Sequence, residues 1–177
     1  MTDLNEIVCW PMVKLGDHVY HMSTRIAGLI SAVDTEFGAP HHSPSNNPLK
    51  ADALVLDDAS HSEVLLTKAQ ADILNAGGVM TGLNFMGGFV AWGNYTGCYP
   101  TNTDVKDFMI SISRTFDWVA NTLITTFWGY LDTPMTRRLI DTILDTCNIW
   151  LNGLQGSDIL LGGRCEMIES ENPVTNL

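Results

Sequence analysis

Apolar residues recur along this chain with two different periods, and each change of period marks a change of element. Residues 7–13 form a short apolar run ending at Leu15-Gly16-Asp17, which predicts a strand and a turn. Pro11 inside the run predicts an edge position or a strand end, because proline cannot donate to a ladder. Val19, Met22, Ile26, Leu29, Ile30 and Val33 then return at helical spacing and predict an amphipathic helix from His18 to about Thr35. Gly38 and Pro40 stop it. Residues 41–52, with Pro44, Asn46, Asn47 and Pro48, predict a loop. Ala53-Leu54-Val55-Leu56 predicts a short buried strand, and Asp57-Asp58 an acidic turn. Thr67 is placed to cap a helix through Ala69, Ala71, Ile73 and Leu74 that Gly77-Gly78 closes. Residues 79–83 and 89–92 are strand-like, with Gly87-Gly88 as the bend between them.

The second half is dominated by two long stripes. Asp104 is expected to cap a helix in which Phe108, Ile112, Phe116, Val119, Leu123, Phe127 and Leu131 share one face. Asp132-Thr133-Pro134 predicts a restart, with proline at the first helical position. Leu139, Ile143, Cys147, Trp150 and Leu154 line the second stripe, and Arg137 and Asp141 are spaced for an exposed i,i+4 pair. Gly153 and Gly156 end that helix. Ile159-Leu160-Leu161 and residues 164–168 predict a last strand or hairpin arm around Gly162-Gly163. Residues 169–177 carry no core-building pattern. The expected fold is α/β: a small mixed sheet packed by helices, including two consecutive long amphipathic helices.

Composition narrows the function. A chain of 177 residues with 45% hydrophobic and 16% charged residues can bury a core and is far from disorder. Its formal net charge of −11 argues against free-standing nucleic-acid binding, which needs a basic footprint. The acidic surface favours solubility and could steer a basic partner. Cys9, Cys98, Cys147 and Cys165 form no C-x-x-C pair, so buried free thiols are expected rather than a disulfide framework. The polar start Met1-Thr2-Asp3-Leu4-Asn5-Glu6 is unlike a secretory signal, and no apolar run approaches the ~18 residues of a membrane span. The expectation is a soluble, intracellular protein when made, with no membrane partner.

Candidate chemistry is sparse. His18 and His21 lie three apart without the adjacent glutamate of a metalloprotease motif, and His41-His42 fall in a loop, so no metal site is assigned. Asp34, His42 and Ser43 or Ser45 contain the residue types of a triad, but Pro44 and Pro48 suggest a structural turn. Gly87-Gly88 and Gly162-Gly163 lack the context that cradles phosphate. Trp10, Trp92, Trp118, Trp128 and Trp150 are scattered, as core and interface anchors would be. No catalytic, cofactor-binding or metal-binding residue is assigned.

Several segments are similar, in order, to contractile tail sheath proteins of bacteriophages and related phage-tail-like particles. Val19-Tyr20-His21-Met22-Ser23-Thr24 with Ala27-Gly28-Leu29 resembles the family's helix before its variable loop. Ser43-Pro44-Ser45-Asn46 resembles its Ser-Pro-(Ser or Ala)-Asn loop. Residues 69–74 with Asn75-Ala76-Gly77-Gly78-Val79, and Trp92-Gly93-Asn94-Tyr95-Thr96, resemble two further signatures. Phe116-Asp117-Trp118-Val119 with Phe127-Trp128, and Pro134-Met135-Thr136-Arg137-Arg138-Leu139, match its two consecutive helices. The resemblance spans about residues 8–173.

It implies a non-enzymatic structural subunit that stacks as hexameric rings around a tail tube and contracts to drive the tube through a cell envelope. The implied partners are further copies joined by strand exchange, the tail tube protein, and the baseplate and tail terminator proteins. The implied location is the virion tail, after assembly in the host cytoplasm. Residues 1–177 would form a single core domain of the sheath's C-terminal type, a fragment lacking the N-terminal insertions and terminal arms. The segments 7–13 and 164–168 could pair with a neighbour's sheet, and Arg114, Arg137, Arg138, Asp141 and Asp145 could form contacts between subunits. Other readings are a non-polymerising adaptor with the same core, and a hydrolase using His42 with a serine or a metal.

Overall fold

In the computed structural model, which describes residues 6–168 and 170–171, the first apolar run divides at Trp10-Pro11. β1 (Val8–Cys9) and β2 (Met12–Leu15) lie on either side of that step and enter different sheets. Proline brings no N–H to a ladder, so the run breaks where it stands. β1 runs parallel to β5 (Val79–Phe85), and β5 pairs antiparallel with β6 (Gly88–Trp92), giving a mixed sheet β1-β5-β6. β2 is the central strand of a second sheet, antiparallel to β3 (His18–His21) and β4 (Ala53–Val55). The α/β class holds, with the strands shared between two three-stranded sheets.

The first helix starts later than its periodicity predicts. α1 spans Met22–Phe37, while residues 18–21 belong to β3, with His18 opposite Leu15 and His21 opposite Met12. The turn at Gly16-Asp17 folds these residues back onto β2, and the ladder with its β-branched and aromatic Val19 and Tyr20 overrides the helical spacing. His18 and His21 are therefore exposed strand residues. α1 buries Met22, Ile26, Ile30 and Val33 on one face and ends at Gly38. Met22, Ile26 and Ile30 form one core with Val13, Leu49, Leu54, Met80, Ala91 and Ile110, so both sheets contribute to it.

α2 (Lys68–Ala76) has the expected cap: Thr67 Oγ1 accepts from the Gln70 amide and Gln70 Oε1 accepts from the Thr67 amide. The β5–β6 turn falls on Met86-Gly87, both at positive φ (54° and 85°), one residue before the expected bend. Gly88 is already in β6, opposite Phe85.

Asp104 caps a short helix α3 (Val105–Phe108), not the long one. Its Oδ1 accepts from the Lys106 amide at 3.1 Å. Met109 is extended and bridges Tyr95, and the long helix α4 restarts as Ile110–Phe127. Its fully buried positions are Ile110, Ser111, Ser113 and Thr115, whereas Phe116 of the expected apolar stripe is 54% exposed. The buried positions gather at the start of the helix and are not one face, since Ser111 and Thr115 lie together and Ser113 lies across the helix from them. Ile112, Val119, Leu123 and Phe127 of the stripe are half-buried.

Backbone contacts divide the chain into two compact units, Met1–Trp118 and Val119–Leu177. In the second, a 3₁₀ turn (Trp128–Tyr130) follows α4, and α5 spans Arg137–Gly156. α5 starts three residues after the expected Pro134, and Thr136 caps it, its Oγ1 accepting from the Leu139 amide at 3.3 Å. Asp132 has φ 62° and Thr133 Oγ1 donates to the Tyr130 carbonyl at 2.6 Å, so these residues close the preceding turn. The expected stripe on α5 is present: Cys147 and Leu154 are buried, Leu139, Ile143 and Trp150 half-buried, and Leu151 joins them. Residues 159–168 include no strand; the expected arm is an irregular segment beside α5. Most of the 169–177 tail lies outside the described residues.

Candidate assembly surface

The segment after β6 organises the first unit through backbone contacts. Trp92 Nε1 donates to Asp72 Oδ1 at 2.9 Å, and the Lys68 ammonium lies 5.4 Å from a Trp92 ring centroid. Gly93 has φ 129°, and a Cβ there would stand 3.1 Å from Asn75 Oδ1 and 3.3 Å from Met80 Cα, so only glycine fits. The Asn94 carbonyl accepts from the Ile110 amide at 3.0 Å, satisfying a donor at the start of α4. The Thr96 amide donates to the Phe108 carbonyl at 2.8 Å, and Thr96 Oγ1 donates to the Asp107 carbonyl at 3.0 Å. Tyr95, Tyr99 and Phe108 pack ring on ring, with centroids 4.6–5.3 Å apart.

Two sheet edges are covered by the chain's own loops. Along β6, the Leu49 amide donates to the Phe89 carbonyl, the Ala91 amide to the Asn47 carbonyl, and the Asn46 amide to the Ala91 carbonyl. Ser45 Oγ then accepts from the Gly93 amide at 3.1 Å. Along β4, the Val64 amide donates to the Leu54 carbonyl at 2.8 Å and the Leu56 amide to the Ser62 carbonyl at 2.9 Å. The remaining edge strands are β1 and β3. Of the apolar run 7–13, only the β1 part therefore stands at an edge; β2 is flanked on both sides. An exposed row of backbone donors and acceptors is a template for a further strand.

The irregular segment in the second unit is held by one side chain. Asn148 Oδ1 accepts from the Cys165 amide at 2.8 Å, and Asn148 Nδ2 donates to the Cys165 carbonyl at 3.1 Å. Arg164 pairs with Glu166. Arg137, Asp141 and Asp145 are exposed on α5 and line an open cavity of about 400 Å³ with residues 164–167. Among the described residues, no ion pair joins Arg137 to Asp141. Arg114 is not a free surface charge: its guanidinium takes both carboxylate oxygens of Asp34 on α1, one at 3.0 Å.

That ion pair also dismantles the paper triad, since Asp34 is committed to Arg114. The His42 ring stacks on Phe37 at 3.5 Å, and Ser43 Oγ accepts from the Ser45 amide at 3.1 Å. Burial pushes the Cys9 thiol up to about 11, which makes it a poor nucleophile at neutral pH. Cys147 is likewise pushed up to about 11, first by burial and then by the neighbouring Cys165 thiol. All four cysteines are free. Among the described residues, no group of three or more His, Cys, Asp or Glu side chains is placed to hold a metal ion, and no helix is long and apolar enough to cross a membrane.

Sequence reasoning missed the Arg114–Asp34 pair and the pairing of residues 46–49 with β6. The first joins positions 80 residues apart, and the second is made by backbone groups that any residue carries.

No family model matches the chain. It is 30% identical over 179 aligned positions to the tail sheath protein of Burkholderia phage BcepMu, an alignment that covers 96% of this chain and 36% of that protein. It is 27% identical over 176 positions to the tail sheath protein of Escherichia phage P2, covering 97% and 42%. This chain is homologous to tail sheath proteins. It spans less than half the length of either relative. The sheath of an extracellular contractile injection system in its contracted state has the same fold, with a TM-score of 0.73 at 18% identity over 97% of this chain and 45% of that one. In this sheath homologue three of the motifs that carry the resemblance meet at one point, since Ser45 and Asn75 both adjoin Gly93.

Proposed function

We propose that residues 1–177 act as the core of a contractile tail sheath subunit, stacking as hexameric rings around a tail tube and contracting to drive it through a cell envelope. The observation that carries this reading is the homology over nearly the whole chain to two tail sheath proteins. The work of such a subunit lies in rearranging packed surfaces, and requires no active site. Its edges suit the role: β1 offers an edge to a neighbour's strand, and residues 164–168 offer an irregular segment held by Asn148 rather than by a sheet. The partners are further copies of the subunit, the tube protein, and the baseplate and tail terminator proteins. The location is the virion tail, with assembly in the host cytoplasm.

Co-expression with the tube protein of the same particle, followed by negative-stain microscopy, tests the reading. Tubes decorated at a regular axial repeat are expected; uniformly bare tubes beside monomeric protein would overturn it and favour a non-polymerising adaptor.

A further inference from the structure

Cys147 and Cys165 lie 18 positions apart in sequence and are brought together by the path of the last segment along α5. Gly163 sits against Leu151, where a Cβ would be 3.2 Å from Leu151 Cδ2. Two residues later, Asn148 clamps the amide and carbonyl of Cys165. The segment therefore runs antiparallel to α5, and its register lays Cys165 beside Asn148, the chain neighbour of Cys147, close enough for its thiol to act on that of Cys147. Their surroundings differ. Cys147 is 3% exposed, whereas Cys165 is half-buried and lines the open cavity of about 400 Å³ beside Arg137, Asp141 and Asp145. A small oxidant can reach one sulfur and not the other.

We propose that Cys147 and Cys165 form a redox modification site, in which a low-molecular-weight disulfide such as oxidised glutathione converts the two thiols into one intramolecular disulfide fastening residue 165 to α5. Cys165, reached from the cavity, loses its proton and attacks one sulfur of the oxidant. The oxidant's S–S bond breaks, and one glutathione thiolate leaves and is protonated. Cys147 then loses its proton and attacks the Cys165 sulfur, releasing the second glutathione. Two protein thiols are oxidised and one glutathione disulfide is reduced to two thiols. The second step accelerates with pH, because burial raises the Cys147 thiol and keeps it protonated at neutral pH. Asn148 acts as the positioning residue. The inference goes beyond the assembly reading and does not depend on it.

The full chain, reduced and then incubated with oxidised glutathione, is quenched in acid, alkylated after denaturation, and measured by intact mass and peptide mapping. The expected product is lighter than the reduced protein by two hydrogens, retains alkylatable Cys9 and Cys98, and yields a peptide linking Cys147 to Cys165. Cys147→Ser is expected to accumulate a glutathione adduct on Cys165, and Cys165→Ser to keep its three remaining thiols. Four alkylatable thiols in the treated wild type, an adduct at Cys165 that never resolves, or a linkage between another pair would each overturn the proposal.

Discussion

The Gly93 amide donates to Ser45 Oγ at 3.1 Å, joining the loop that covers β6 to the segment that launches α3 and α4. The contact is made by a backbone at φ 129°, where a side chain would be strained and its Cβ crowded against Asn75 and Met80. Gly93→Ala is expected to destabilise the fold by about 2 kcal/mol or more, combining backbone strain with a clash. Gly88→Ala, in the same hairpin but with open space around it, is the control and should cost well under half as much. Urea unfolding of the two variants measures the difference.

Arg114 and Asp34 connect α4 to α1 with side chains only 30% and 26% exposed. Removing the guanidinium leaves a largely buried carboxylate without its two donors, so Arg114→Ala should cost about 1–3 kcal/mol. Arg114→Lys should recover only part of the loss, because an ammonium cannot reproduce the two-pronged contact. Denaturant midpoints of the wild type and both variants test the ordering.

Thr67→Ala removes one half of the capping box on α2 and should cost about 1 kcal/mol, while Thr67→Ser should be close to neutral. Amide exchange in residues 68–71 is the local readout, and faster exchange confined to that turn is the expected result.

Asp72 is held below the usual carboxylate range, first by the Lys68 hydrogen bond and then by Trp92 Nε1–H. A lowered folded-state pKa means the contribution is present above the ordinary carboxylate value of about 4 and is lost as pH falls through the lower folded value. The Trp92 indole N–H resonance should therefore shift in an acid titration with a midpoint below that ordinary value. Asp72→Asn should abolish that shift.

How much was legible follows from which interactions are local. The Thr67 cap, the α1 face and the α5 stripe are encoded within a few turns of helix, and the sequence pattern locates them. The division of residues 7–13 between two sheets and the assignment of residues 18–21 to β3 depend on partners elsewhere in the chain, so periodicity misplaced them. At Asp104 a correct capping signal was attached to the wrong helix, because the Tyr95–Met109 bridge that interrupts the run has no local mark. Of the candidate surface, the edge position of β1 was readable from Pro11. The Asn148 clamp was not, because a side-chain amide substitutes there for the strand partner that the pattern of residues 164–168 called for.

The proposed role requires that this chain enter a sheath lattice. Negative-stain microscopy of the purified chain, alone and mixed with an intact tail sheath protein, tests it most directly. Rings or tubules in which the chain is incorporated are expected. Monomers that stay excluded from every assembled particle, including when extended by terminal arms of an intact sheath, would contradict it.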